Sequence, residues 1–225
     1  MTTKRAAEEQ EIAIPVSGVM LAGTLTVPDA ARGLVLFAHG SGSSRYSPRN
    51  RFVAASLHRL RFATVLMDLL TEDEEDVDVR TGHLRFDIGL LAERLVAATD
   101  WTLSQPDLRR LRLGYFGAST GAGAALVAAA ERTEIVRAVV SRGGRPDLAG
   151  AALARVRAPT LLIVGGRDEV VHQLNDQAKL EMGGAQVSLV IVPGATHLFE
   201  EPGALEEVAR LAGEWFVMHL VEIAA

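Results

Sequence analysis

The sequence predicts an α/β protein: a mostly parallel central sheet with helices on both faces, entered through an N-terminal antiparallel hairpin. Two observations carry this. Short apolar runs rich in β-branched residues alternate with longer stretches of helical period along the 225 residues. Runs such as Leu34-Val35-Leu36-Phe37 and Leu161-Leu162-Ile163-Val164 are apolar at every position, as a sheet covered on both faces demands.

Glu11–Val16 and Met20–Val27 form the opening hairpin around the turn residues Ser17-Gly18-Val19. Gly33–Ala38 follows as the first buried strand. Arg49–Leu60 reads as a helix leading to strand Phe62–Met67, and Phe86–Ser104 as a helix leading to strand Leu111–Phe116. A helix from Ser119 to about Arg132 precedes strand Ile135–Ser141, and strands Thr160–Val164 and Val187–Val192 come next. In the closing helix, Ala204 to Val221, the residues Leu205, Val208, Leu211, Ala212, Trp215, Phe216 and Leu220 recur on one helical stripe. The acidic run Glu72–Asp78 reads as a solvated loop. With no internal repeat and no linker, residues 1–225 are expected to form one domain, a size that a single core supports.

Composition excludes several classes. A net charge of -5 with 5% aromatic residues offers neither a basic stripe for phosphates nor a stacking platform, so no nucleic acid partner is expected. The absence of cysteine removes disulfides, thiolate metal sites and cysteine nucleophiles together. Met1 to Glu11 carries charges with no apolar run behind them, and no stretch approaches the roughly 18 apolar residues of a spanning helix. The expected protein is cytoplasmic, without membrane attachment, metal or cofactor; its oligomeric state is not encoded in any pattern found.

In a parallel sheet, ligands bind at the carboxyl ends of the strands, so reactive residues should lie just beyond the apolar runs. After Leu111–Phe116 comes Gly117-Ala118-Ser119-Thr120-Gly121, a G-x-S-x-G pattern between strand and helix. A serine in so sharp a turn needs small residues two positions to either side, and the helix start behind it favours developing negative charge. Ser119 is thus a candidate nucleophile, with the Thr120 N–H as one oxyanion donor; the alternative is a serine that only caps the helix. A hydroxyl needs a base. His197, in Pro193-Gly194-Ala195-Thr196-His197, follows the last strand. Asp168, in Gly165-Gly166-Arg167-Asp168-Glu169, follows strand Thr160–Val164 and can orient the imidazole, with Glu169 as competitor. Taken singly, Asp168 could be a helix cap and His197 an ordinary loop histidine. The order Ser, Asp, His at three strand ends favours the catalytic reading.

Strand Gly33–Ala38 ends in His39-Gly40-Ser41-Gly42-Ser43-Ser44, small residues that let backbone approach a ligand. The Ser41 N–H is the expected second oxyanion donor, Gly42 borders the substrate, and His39 is read as structural. Beyond this loop Arg45, Arg49 and Arg51, and Arg142 after strand Ile135–Ser141, could receive an anionic substrate group. Their alternative role is pairing with the acidic run.

The segments HGSGSS, GYFGASTGAG, GGRDEVV and PGATHLF resemble, in order and spacing, the α/β-hydrolase superfamily, and within it the dienelactone hydrolase-like group. The resemblance covers nearly the whole chain. It implies an α/β-hydrolase fold without a large lid, acting on a small-molecule ester of short acyl length through Ser119, His197 and Asp168. The dienelactone hydrolases proper use a cysteine nucleophile, whereas this chain has serine, so lactone specificity does not carry over. Acyl transfer, or thioester or peptide cleavage by the same residues, stays open, as does a scaffold that binds without turnover.

Overall fold

The computed structural model describes residues 8–221, so the segment up to residue 7 that was read for a leader lies outside the described residues. The chain opens with an antiparallel pair, β1 (Glu9–Val16) and β2 (Val19–Thr26). It continues through β3 (Leu34–Ala38), α1 (Pro48–Arg59), β4 (Ala63–Met67), α2 (Glu72–Thr81) and α3 (Ile88–Ser104). Then come β5 (Leu113–Ala118), α4 (Thr120–Glu131), β6 (Val136–Arg142), β7 (Thr160–Gly165), α5 (Glu169–Glu181), β8 (Val187–Val192) and α6 (Ala204–Leu220).

The eight strands form one sheet in the order β1-β2-β4-β3-β5-β6-β7-β8. Pairing is antiparallel from β1 to β4 and parallel thereafter. The carboxyl ends of β3, β5, β6, β7 and β8 therefore lie side by side on one edge, and every predicted reactive segment leaves from that edge. Each face has its own core. Leu91 and Leu95 of α3, Leu126 of α4 and Ala178 of α5 pack with one face; Val53 and Leu57 of α1 and Val208 and Phe216 of α6 pack with the other. Where β3 and β5 pair, Phe37 stands opposite Phe116, both rings fully buried with centroids 4.9 Å apart. Such an aromatic pair adds about 0.5–1.5 kcal/mol beyond its buried area to the joint between β3 and β5. The connection from β6 to β7 carries only a short helical segment, Pro146–Arg155, where a lid would otherwise be inserted. Among the described residues no helix is long and apolar enough to cross a membrane.

One expectation is corrected. The acidic run is not a loop but the body of α2, capped by Thr71: the Thr71 hydroxyl accepts from Glu74 N–H, and the Glu74 carboxylate accepts from Thr71 N–H. Gly82, in the left-handed region at φ 63°, ends it. Four acidic residues in the first turn suit the positive end of a helix. Asp78 is fully buried and accepts from Leu84 N–H, Arg85 N–H and Arg85 Nε. Arg94 of α3, itself buried, donates to both Glu74 carboxylate oxygens at 2.5–2.6 Å and to the Leu69 carbonyl at 2.6 Å. The acidic run thus becomes ordered structure because each inward carboxylate meets a donor. The long helix predicted from Phe86 also divides, with Asp87 capping α3 through Leu90 N–H.

The Arg94 hydrogen bonds hold the Glu74 carboxyl down at about 2, against an ordinary 4.5. A carboxyl depressed in the folded state stabilises it above the ordinary value, and that contribution disappears as pH falls through the folded value. Glu74→Gln should therefore lower stability at pH 7 by about 1.5–3 kcal/mol in urea unfolding, the range for hydrogen bonds to charged groups. The gap to wild type should narrow between pH 4.5 and 2. A gap constant across that range would contradict the assignment.

Candidate active site

Ser119 occupies the one-residue step between β5 and α4 with φ 50° and ψ -121°, a backbone conformation that L-residues rarely adopt. Its neighbours enforce the step. A Cβ on Gly117 would stand 2.5 Å from Ala122 Cα, and one on Gly121 would stand 2.3 Å from the Ala38 carbonyl oxygen. Both glycines are needed so that strand, turn and helix can pass this closely. Ser119 N–H donates to the Arg142 carbonyl at 3.3 Å, and its own carbonyl accepts from Ala122 and Arg145 N–H. The turn is thereby tied to β6.

Ser119 stands at the capping position of α4, yet its hydroxyl makes no capping hydrogen bond. It lies 3.3 Å from His197 Nε2 instead. His197 Nδ1 lies 2.6 Å from Asp168 Oδ2. Asp168 likewise sits at the cap of α5 without capping it. Ser119 and Asp168, both placed at helix caps, are instead turned with His197 toward one another. The Asp168 side chain is 15% exposed and that of His197 38%, so the carboxylate is sheltered while the imidazole edge remains open to a ligand. With Nδ1–H donated to the carboxylate, the Nε2 lone pair faces Ser119.

The loop after β3 is pinned by His39, which is buried and whose protonation is disfavoured by that burial. Its Nε2 accepts from Leu69 N–H at 3.0 Å, and Nδ1 donates to the Gly40 carbonyl at 2.9 Å. Ser41 N–H donates to Thr120 Oγ1 at 2.9 Å, linking this loop to the residue after Ser119. Gly42 and Arg45 border a cleft of about 840 Å³ between the loop and α2. Arg45 is not free to receive an anion there. Its guanidinium pairs with Asp68, its N–H donates to the same carboxylate at 2.7 Å, and Glu72, Glu75 and Asp76 line the cleft opposite. Nor do Arg49 and Arg51 meet the acidic run; they pair with Glu200 and Glu9.

Arg142 differs from these. It is 5% exposed at the end of β6, and its guanidinium lies 5.8 Å over the Phe199 ring and makes no hydrogen bond or ion pair with any described residue. Burial, and then the neighbouring Arg49 charge, push it down to about 10. Asn175 of α5, which no sequence pattern singled out, is fully buried and donates to the Gly144 carbonyl, fastening the helix behind Asp168 to the loop behind Arg142.

Fold and site together define an α/β hydrolase. The family model of the dienelactone hydrolase family matches residues 49–216, and the chain belongs to that family. Its structure superposes on the dienelactone hydrolase from Anabaena variabilis ATCC 29413 with a TM-score of 0.93 at 61% identity, covering 95% of this chain and 99% of that one. Est1E from Butyrivibrio proteoclasticus shares the fold at a TM-score of 0.76 and 16% identity, over 92% of this chain and 98% of that one. The "Putative phosphoribosyl transferase" of Mycobacterium tuberculosis (strain ATCC 25618 / H37Rv) is 59% identical over 212 residues, 94% of this chain. The chain spans about half the length of that relative, 47%.

The strain at Ser119 is testable. Glycine tolerates φ 50° where alanine does not, so Ser119→Gly should unfold later than Ser119→Ala by about 1 kcal/mol in denaturant. Equal stabilities would mean that the turn carries no strain.

Proposed function

We propose that the chain is a serine hydrolase cleaving carboxylic esters of small or short-acyl substrates, with Ser119 as nucleophile, His197 as general base and acid, and Asp168 orienting His197. The observation that supports it most is the continuous arrangement Asp168 Oδ2, His197 Nδ1, His197 Nε2, Ser119 Oγ, with separations of 2.6 and 3.3 Å. Ser119 Oγ attacks the acyl carbon while its proton passes to His197 Nε2; the carbonyl electron pair moves onto oxygen. Collapse of this tetrahedral species expels the alcohol, which takes the proton from His197, and water repeats the sequence to release the acid. The helix start at Thr120 faces the negative oxygen with an N–H that has no intrahelical acceptor.

The transferase name of the mycobacterial relative belongs to a protein twice this length. Acyl chemistry is what this triad provides, whether the acceptor is water or another nucleophile.

Arg142 refines the substrate. A buried guanidinium without a protein anion is costly, and an anionic substrate group would answer it. Its backbone adjoins Ser119, so we assign it to recognition of a carboxylate or similar group borne by the ester.

Wild type should hydrolyse p-nitrophenyl acetate and butyrate, and Ser119→Ala should reduce kcat by at least about 10³-fold. Rates shared equally by wild type and Ser119→Ala would overturn the nucleophile assignment. For an ester carrying a distal carboxylate, Arg142→Ala should raise KM selectively over the uncharged analogue; an unchanged preference would remove the anion role.

A further inference from the structure

The sequence suggests a simple oxyanion hole of two backbone amides, but one of these amides is already engaged. Ser41 N–H, which has a single proton to give, donates it to Thr120 Oγ1 at 2.9 Å. Thr120 follows Ser119 directly and is 2% exposed. A hydroxyl has one proton and two lone pairs. One lone pair of Thr120 takes the Ser41 proton, while no described residue accepts the proton of Thr120 itself. A buried hydroxyl whose proton meets no protein acceptor keeps a donor free for a ligand. Here that proton belongs to the residue directly after Ser119.

Resting on the ester-hydrolase reading of Ser119, we propose that the Thr120 hydroxyl is itself an oxyanion donor, with Ser41 N–H behind it as its positioning group. When Ser119 Oγ bonds to the acyl carbon and the carbonyl electron pair shifts to oxygen, the new oxyanion receives hydrogen bonds from Thr120 N–H and Thr120 Oγ1–H. No proton is transferred in these bonds. Accepting from an amide polarises a hydroxyl and strengthens it as a donor, so the Ser41 contact reinforces the bond to the oxyanion. The arrangement also narrows the hydroxyl rotor before substrate arrives, because its proton cannot point at the Ser41 amide, and such narrowing favours preorganised stabilisation. His39 contributes at one remove: by bridging Leu69 N–H and the Gly40 carbonyl, it holds the loop that presents Ser41.

The two designs of oxyanion hole respond oppositely to loss of one oxygen atom. Thr120→Val keeps the shape and deletes the hydroxyl. If the hydroxyl is the donor, kcat for p-nitrophenyl acetate should fall about 10²–10³-fold with little change in KM. Thr120→Ser, which retains the hydroxyl, should stay within a few-fold of wild type. Thr120→Ala, smaller than threonine and free of any clash, should match the valine variant and stands in for it should valine fail to fold. Valine and alanine variants as active as wild type, or more so because Ser41 N–H is released to meet the substrate, would overturn the proposal. So would equal losses in the serine and valine variants, which would assign the effect to packing. A wild type without Ser119-dependent turnover would instead refute the ester-hydrolase reading, an outcome visible before any Thr120 variant is compared.

Discussion

Everything at this site depends on holding Ser119 at φ 50°. A serine in that conformation costs roughly 1–3 kcal/mol, and it persists only where the surroundings leave no relaxed alternative. Those surroundings are the paired ends of β3, β5 and β6. The Ala38 carbonyl lies close enough to Gly121 to exclude any side chain there, and the backbones of Ser119 and Arg142 are hydrogen-bonded across the step. The buried Phe37–Phe116 pair lies just below. Because the sheet cannot shift locally without breaking these contacts, Ser119 is presented rigidly above the edge. Histidine and aspartate then need only leave neighbouring strands to reach it.

A second set of contacts secures the loop after β3. Leu69, just past β4, gives its N–H to His39 and its carbonyl to Arg94, so one residue ties the loop after β3 to α3 and, through Glu74, to the start of α2. On the other side Asn175 fastens α5, which carries Asp168 at its cap, to the Gly144 carbonyl. The backbone around Ser119, His197 and Asp168 is thus braced by buried polar bonds. Such bonds are expensive to break, since each leaves an unpaired group in the interior.

The sheet was legible in the sequence because its strands are buried on both faces: Leu34 to Phe37 and Leu161 to Val164 have no polar position to confuse the reading. Ser119, Asp168 and His197 were legible because each stands immediately beyond such a run, and the structure brings all three into hydrogen-bonding range. Helix α5 was not, since its inward stripe of Val171, Asn175 and Ala178 places an asparagine where periodicity looks for an apolar residue. Helix α2 was obscured by its own charge. Its outward signal, a threonine three residues before a glutamate, was present at Thr71 and Glu74 but was outweighed by six acidic residues in seven. The pairing of Arg45 with Asp68 and the Ser41–Thr120 contact join residues far apart in the chain, and no local pattern encodes them.

The most direct measurement of the central claim is covalent capture of the nucleophile. Purified protein treated with a fluorophosphonate and digested should yield one modified peptide, carrying the adduct on Ser119, with labelling slowed severely in His197→Ala and abolished in Ser119→Ala. Absence of any adduct on the wild-type chain, or an adduct on Ser41 or Ser43 with Ser119 unmodified, would contradict the account.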